Sequence, residues 1–308
     1  MKISVVGTLY RSENTIVRFV ERVYAVCNSL VGEDFEIILV VDGCTESLNT
    51  ARGLLPDYPN LVLVDLSRNF GHHKAIMAGL EHATGDLVFL VDTDLEEQPE
   101  WLDRFLPALQ ESEADVVFGY QEDRRGNFLQ RASGNLFYLI FQKVTGMQTG
   151  NQTTARLMTR RYIDALLSHG ESELILGGLW GETGFEQVGI PVEKFDTSPT
   201  TYPLARRIFL AIESVVSFSN APLVLSFVAS LIVFLSSIGF LIFLFASYFV
   251  NGTGVDGYLS VIASVWLLAG LILLNQGVQN FYIAVMFLEA KNRPRSVVRQ
   301  VYRSNEAE

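Results

Sequence analysis

The sequence predicts an α/β domain with a mostly parallel sheet covered by helices, followed by two apolar helices that suit a membrane. Three observations carry this reading. From Ile3 to Gly119, short β-branched and apolar runs alternate with longer stretches of helical period. Further on, no charged residue occurs from Ser214 to Val255 or from Gly257 to Leu288. Mean hydropathy is positive, +0.27, although the formal net charge is −11, so apolar and acidic residues must occupy different segments.

The runs Ile3 to Val6, Glu36 to Val41, Leu61 to Asp65, Asp86 to Val91 and Asp115 to Gly119 read as strands, with helical stretches at Glu13 to Leu30, Glu46 to Leu55, Lys74 to His82 and Trp101 to Gln110. The strand runs are continuously apolar, the pattern of a sheet buried on both faces. Such a sheet binds ligands beyond the carboxyl ends of its strands, which directs attention to the residues just after each run. Past Gly119 the period loosens through Arg124-Arg125-Gly126, a helix near Phe128 to Val144, and a loop rich in Gly, Thr and Gln from Thr145 to Thr154.

From Ala205 to Phe218 a helical reading puts Ile208, Ile212, Val215 and Phe218 on one face, which packs either on the domain or at a membrane surface. Its position just before Pro222 favours the surface. Pro222 to Val250 and Tyr258 to about Met286 each exceed the roughly 20 residues that cross a bilayer. Asn251 to Gly257 between them is turn chemistry. Arg206 and Arg207 precede the first span, and Lys291, Arg293, Arg295, Arg299 and Arg303 follow the second, while the loop carries Asp256 alone. The positive-inside rule then places both termini and the α/β domain in the cytoplasm, at the inner (cell) membrane. The expected divisions are a catalytic-type domain at 1–204, an amphipathic juxtamembrane helix at 205–220, a hairpin at 221–289 with spans near 222–250 and 258–286, and a basic tail at 290–308.

An acidic domain lacks the clustered Lys and Arg that nucleic acid requires, which excludes that partner. Cys27 and Cys44 have neither metal-ligand nor Cys-x-x-Cys spacing and read as buried thiols in a reducing compartment. Met1 to Val6 shows no export-signal pattern, so the first domain is expected to stay on the side where it is made.

The sharpest chemical signal is Leu90-Val91-Asp92-Thr93-Asp94-Leu95-Glu96, three carboxylates at alternate positions after an apolar strand. On an extended segment alternate side chains point the same way, so Asp92, Asp94 and Glu96 are expected to face one hard cation, Mg²⁺ or Mn²⁺. A solvated acidic turn is the competing reading, and the place at a strand's carboxyl end favours the metal.

Ser67-Arg68-Asn69-Phe70-Gly71-His72-His73-Lys74 through Leu80, Ala83-Thr84-Gly85-Asp86, and Asp92-Thr93-Asp94-Leu95-Glu96-Glu97-Gln98-Pro99-Glu100 together resemble the family 2 glycosyltransferases that charge polyprenyl phosphates with a sugar. Dolichyl-phosphate mannose synthases and bacterial undecaprenyl-phosphate glucosyl- and aminoarabinosyl-transferases belong to that group. Phe218-Ser219-Asn220-Ala221-Pro222-Leu223 resembles the family's entry into its transmembrane hairpin, so the likeness covers nearly the whole chain. The resemblance implies a GT-A catalytic domain, a nucleotide-sugar donor with UDP-glucose leading, a divalent metal, a polyprenyl phosphate acceptor and inversion at the anomeric carbon. It implies metal and catalytic roles for Asp94, a ribose and metal role for Asp92, and a metal role for Glu96 where the family has Gln. Thr8, Tyr10, Glu13, Asp42, Asn69, Gly71 and Lys74 complete the implied donor site, although Thr8, Arg11 and Ser12 depart from the family's P-x-Y-N-E-E and Val41 from its D-D-G-S. Arg124 matches the second Arg of an R-x-x-R whose first is Gln121, and is set with Asp94 as catalytic against the alternative of a surface residue. His72 and His73 read as helix-start residues near the donor, not as metal ligands.

Thr153-Thr154-Ala155-Arg156-Leu157-Met158 resembles G-D-F-R-L-M with Thr154 in place of an Asp often given a catalytic role. A phosphate acceptor is largely dianionic at pH 7 and attacks without a strong base, so this loss is tolerable. Arg206 and Arg207 are expected to meet the acceptor's lipid phosphate or, alternatively, to serve topology only. Partners in keeping with this reading are the lipid bilayer, further copies in a homo-oligomer, a flippase and a downstream glycosyltransferase. Rival readings are a transferase acting on another lipid or polysaccharide, and a catalytically retired membrane-bound binding subunit. Against the latter stand three mutually repelling carboxylates that a retired site has no reason to keep.

Overall fold

The computed structural model describes residues 1–121, 152–170, 176–194, 221–251, 257–291 and 293–304. The expectations for Arg124, for a helix near Phe128 to Val144, and for 205–220 with Arg206 and Arg207 lie outside these residues. Contacts divide the chain into two units, Met1–Pro203 together with Asn292–Glu308, and the inserted Leu204–Lys291.

The first unit is built on one sheet. Its strands are β1 (Ile3–Leu9), β2 (Phe35–Val41), β3 (Leu61–Leu66), β4 (Leu87–Leu90), β5 (Val116–Tyr120), β6 (Gln152–Thr159), β7 (Gln187–Pro191) and β8 (Val298–Arg303). Their spatial order is β7-β5-β6-β4-β1-β2-β3-β8. β1 runs parallel to β2 and β4, β2 to β3, and β5 to β7, whereas β6 is antiparallel to β4 and β5, and β8 to β3. The helices are α1 (Ile16–Val31), α2 (Thr45–Arg52), α3 (His72–His82), α4 (Leu102–Glu111), α5 (Arg160–Ser168) and α6 (Leu176–Glu182).

Continuous apolar strands follow from a core on each face. In β2, Ile37, Leu39 and Val41 join one buried cluster with Phe19, Val23 and Phe105, while Ile38 and Val40 join another with Ile76, Leu80 and Tyr162. Successive side chains of a strand point to opposite layers, so both sets must be apolar. The interior strands place their carboxyl ends, and the loops after β1, β2, β3 and β4, along one edge.

Three differences from expectation have physical causes. Gln152–Thr159 is a strand, so the loop expected to run to Thr154 ends before Gln152. Its threonines are β-branched and fit a sheet despite their polarity. Residues 187–191 form a short strand that pairs with β5. The segment expected as a basic tail contributes β8, in which half-buried Val298, Val301 and Tyr302 are interspersed with exposed Arg299, Gln300 and Arg303. The charges disguised an edge strand, for which basic residues are the usual protection. Arg299 donates to Asp65 Oδ2 at 3.2 Å and to the Ser67 carbonyl at 2.7 Å, Ser67 N–H donates to the Val297 carbonyl at 2.8 Å, and Arg52 lies over the Tyr302 ring at 4.7 Å.

In the second unit, α7 (Ala221–Asn251) and α8 (Tyr258–Ala290) are about 46 and 50 Å long at 1.5 Å per residue. The Asn275 side-chain amide donates to Ser230 Oγ at 3.0 Å, joining the two. Leu225, Phe243 and Leu273 are among many exposed apolar side chains. Among the described residues, Leu268–Phe287 is long and apolar enough to cross a membrane, and Leu223–Val233 is a shorter apolar stretch.

Candidate functional site

The site assembles from the loops that leave β1, β2, β3 and β4, with the start of β6 and the segment after β7. At β1, Thr8 is half-buried one residue before the strand's end at Leu9, and Tyr10 is 49% exposed with the Arg11 guanidinium over its ring at 5.4 Å. Arg11 itself takes φ 55°, a left-handed conformation that L side chains rarely adopt. Glu13 accepts from the Ser47 hydroxyl at 2.9 Å, and its own backbone N–H first, then Ser47, hold its carboxyl below the usual range.

After β2, Asp42 is buried and accepts the N–H groups of Phe70 at 2.7 Å and Gly71 at 3.0 Å. Its carboxylate therefore supports the loop that opens α3, in addition to any ligand it meets. Two glycines make that approach possible. A Cβ on Gly43, at φ 66°, would stand 2.3 Å from the backbone of Arg68 and Asn69, and Gly71 caps α3 at φ 96°. The result presents exposed Asn69 and His72 and half-buried Lys74 at the start of a helix, where backbone N–H groups favour anions.

His72 ties this loop to the acidic segment. Its Nδ1 is 3.1 Å from Thr8 Oγ1, and its Nε2 is 3.5 Å from Asp92 Oδ1. Burial pushes the imidazole below its ordinary value, outweighing Glu97 and Asp94, so the neutral ring is favoured although 46% of the side chain is exposed. With Nε2–H toward Asp92, Nδ1 accepts from the Thr8 hydroxyl. The Thr93 hydroxyl donates to the Thr8 carbonyl at 2.7 Å, a second stitch between the loops after β1 and β4.

The carboxylates after β4 are arranged differently from the alternation expected. The strand ends at Leu90 and the chain turns, with Leu95 at φ 65° and Glu96 N–H donating to Asp94 Oδ1 at 3.0 Å. Asp92 is half-buried, Asp94 exposed and Glu96 half-buried. Among the described residues, the three-residue group whose ligand atoms converge within 4.8 Å is Glu13, Cys44 and Glu46, and hydrogen bonds from Ser47 and Cys44 already occupy that group. Asp92, Asp94 and Glu96 still act on one another. Burial first, then Asp94, raises the Asp92 carboxyl to about 6, with Glu96 adding to it. Mg²⁺ and Mn²⁺ are commonly held by one or two carboxylates with substrate phosphate oxygens and water. An all-oxygen set with Asp94 open to solvent fits that mode, with Asp92 and Asp94 as the pair that would hold the ion.

Beneath them lies a residue that the motif reading passed over. Glu97 is fully buried; its Oε1 takes Lys194 Nζ and the Thr154 N–H, each at 2.9 Å. Burial, then Asp92, raises its carboxyl to about 7. For Lys194 burial alone would favour the neutral form, but Glu97, Asp92 and Asp94 outweigh it and hold the ammonium charged. The signals were an acid run that continues one residue past Glu96, inside the family-like stretch Asp92 to Glu100, and a lone lysine shortly after an apolar run. Next to Thr154, fully buried Arg156 lies 3.1 Å from the Trp180 ring centroid and donates toward the carbonyls of Thr153 and Thr154. It supports the start of β6 from below.

Of the expected site residues, the structure thus places Tyr10, Glu13, Asp42, Asn69, Gly71, Asp92, Asp94 and Glu96 on the loops at one edge of the sheet, with Thr8 near the end of β1 and Lys74 in the first turn of α3 beside them. The model of the family described as glycosyl transferase family 2 matches residues 4–167. A Mycobacterium tuberculosis protein named as a glycosyltransferase is 39% identical over 99% of this chain and 90% of its own length. The Bacillus subtilis glycosyltransferase YkcC is 30% identical over 97% of this chain and 94% of its own. Among solved structures, the mannosyltransferase PcManGT from Pyrobaculum calidifontis in complex with GDP-Man and Mn²⁺ is 16% identical, covers 94% of this chain and 86% of that one, and superposes with a TM-score of 0.47.

Proposed function

This chain belongs to glycosyl transferase family 2 and is a glycosyltransferase, and from that premise we propose that it transfers a sugar from a nucleotide-sugar, with UDP-glucose the leading donor, to a polyprenyl phosphate such as undecaprenyl phosphate at the cytoplasmic face of a membrane. The observation that carries the donor half is the acidic turn after β4, where Asp92 and Asp94 stand beside the anion-favouring start of α3. Asp92 and Asp94 would hold the cation of a diphosphate whose oxygens the start of α3 would favour. The acceptor half is supported by the apolar α7 and α8, inserted between two segments of the catalytic unit. A polyprenyl chain partitions into a bilayer and holds its phosphate at the interface, the level at which such a membrane-tethered enzyme works.

In this reading an oxygen of the lipid phosphate attacks the anomeric carbon from the face opposite the nucleoside diphosphate, so that bond breaks as the new one forms and the configuration inverts. The phosphate is already largely dianionic at pH 7 and needs no strong base, which makes Thr154 workable where the family often has Asp. A bound divalent cation supplies charge stabilisation to the departing diphosphate. The protein's own residues orient: Asp42 and Gly43 set the loop at Asn69–Gly71, and Thr8, His72 and Thr93 fix Asp92 against it. Arg124, Arg206 and Arg207 are proposed as contacts for phosphate oxygens.

The test is to incubate the full chain in detergent with Mg²⁺ or Mn²⁺, undecaprenyl phosphate and a panel of UDP-, GDP- and dTDP-sugars, and to read the lipid by mass spectrometry. One hexose added to the lipid phosphate from UDP-glucose, and its loss in Asp94→Asn, are expected. Sugar transfer to another acceptor with the lipid phosphate untouched overturns the acceptor assignment.

A further inference from the structure

Glu97 is a buried carboxyl group with uneven partners. Its Oε1 accepts both Lys194 Nζ and Thr154 N–H, each at 2.9 Å, while Oε2 is buried without a partner among the described residues. A buried carboxylate is retained only with compensation, and Lys194 supplies it. Glu97 stands three residues after Asp94 in the same turn, which brings the ammonium it holds at 2.9 Å into the field of Asp92 and Asp94. Glu97 therefore determines where the cationic charge stands relative to the two carboxylates. The pair also joins three segments that meet nowhere in sequence: the turn after β4, the start of β6, and the residues after β7.

We propose that Glu97 and Lys194 are a positioning pair, balanced in charge, that sets how strongly Asp92 and Asp94 hold a divalent cation. The inference rests on the cation reading above and goes beyond the ligands themselves. Removing the ammonium leaves the Glu97 carboxylate uncompensated until a cation enters at Asp92 and Asp94, so that cation becomes its remaining counter-charge and is held more tightly. Removing the Glu97 charge frees the ammonium to lean on those carboxylates, which weakens it. A purely structural pair would behave otherwise, because either substitution would loosen the same turn and shift affinity in the same direction.

The experiment measures Mn²⁺ binding to the purified full chain in detergent, by loss of the free-ion electron paramagnetic resonance signal, so it needs no turnover. Lys194→Met is expected to lower the dissociation constant about tenfold and Glu97→Gln to raise it about tenfold, for a unit charge acting at close range in a partly buried site. The double variant, which restores the charge balance, is expected within about threefold of wild type. Lys194→Gln replaces Lys194→Met if the latter does not fold, with the same direction expected. Shifts in one common direction, or no shift, overturn the pair's role while wild-type binding leaves the cation reading standing. Absence of Mn²⁺ binding in every form overturns both.

Discussion

Single residues of this molecule show where charge is used for structure and where it is kept for chemistry. Asp115, just before β5, receives a two-pronged contact from Arg161 in the first turn of α5, Nε to Oδ1 at 3.1 Å, and the Thr159 hydroxyl at 2.9 Å. The Arg161 hydrogen bonds hold its carboxyl below the usual range. A group depressed on folding contributes stability that is complete above its unfolded value, near 3.9, and is lost as pH falls through the lower folded value. Asp115→Asn should therefore melt below wild type at pH 7, with the gap closing once pH drops under about 4, as thermal unfolding at the two pH values would reveal. An equal gap at both would assign the loss to shape and not to charge. Asp92 is the opposite case, a carboxyl raised by burial and by Asp94, which costs stability as an empty carboxylate pair and which the cation proposed above would relieve. Such contrasts were only partly legible in the sequence. Asp92, Asp94 and the Asn69–Gly71 loop stood out because local motifs carry them, whereas Glu97 and Lys194 meet only through the sheet. Arg11 and Leu95, the non-glycine residues at positive φ among those described, flank the site and carry no sequence mark.

At the scale of elements, the five strands up to Gly119 and the helices between them were readable because each is a continuous apolar run or a helical period, and burial on both faces demands that. β6 and β8 escaped for a different reason: an antiparallel or edge strand can be polar on one side, and its partner lies far away in sequence. The consequence for β8 is specific. It pairs with β3 along Val62 to Leu66, and Arg299 compensates Asp65, which is otherwise buried. Ending the chain after Pro203 would uncover that edge and leave the Asp65 carboxylate without Arg299. A chain in which 204–291 is replaced by a flexible Gly/Ser linker keeps both. The linked form is expected to melt cooperatively and several degrees above the truncated one, on the basis of about 1–3 kcal/mol for an unpaired buried polar group. Equal melting temperatures would show that β8 contributes nothing to the sheet's stability.

For the whole molecule, the return of β8 constrains topology independently of charge counting. Residues before Pro203 and after Asn292 fold into one unit, so a chain that crosses a bilayer between them must cross it an even number of times. On the reading proposed above, α7 and α8, each long enough for one crossing, would supply two, and the bias of Arg206, Arg207, Lys291, Arg293 and Arg295 toward the flanks would put the folded unit in the cytoplasm. Two crossings would also account for the many large apolar side chains of the second unit that are exposed: in lipid that exposure is favourable, whereas in water it would promote aggregation. The prediction is that the full chain resists carbonate extraction from membranes. A protease site appended after Glu308 should be cut in inside-out vesicles and protected in right-side-out cells, as should one placed before Met1. A cysteine introduced at Thr253 should show the reverse accessibility to an impermeant thiol reagent. Labelling of Thr253→Cys from the cytoplasmic side would mean that α7 and α8 lie along the membrane without crossing it, since the fold that unites the two flanks leaves no odd number of spans.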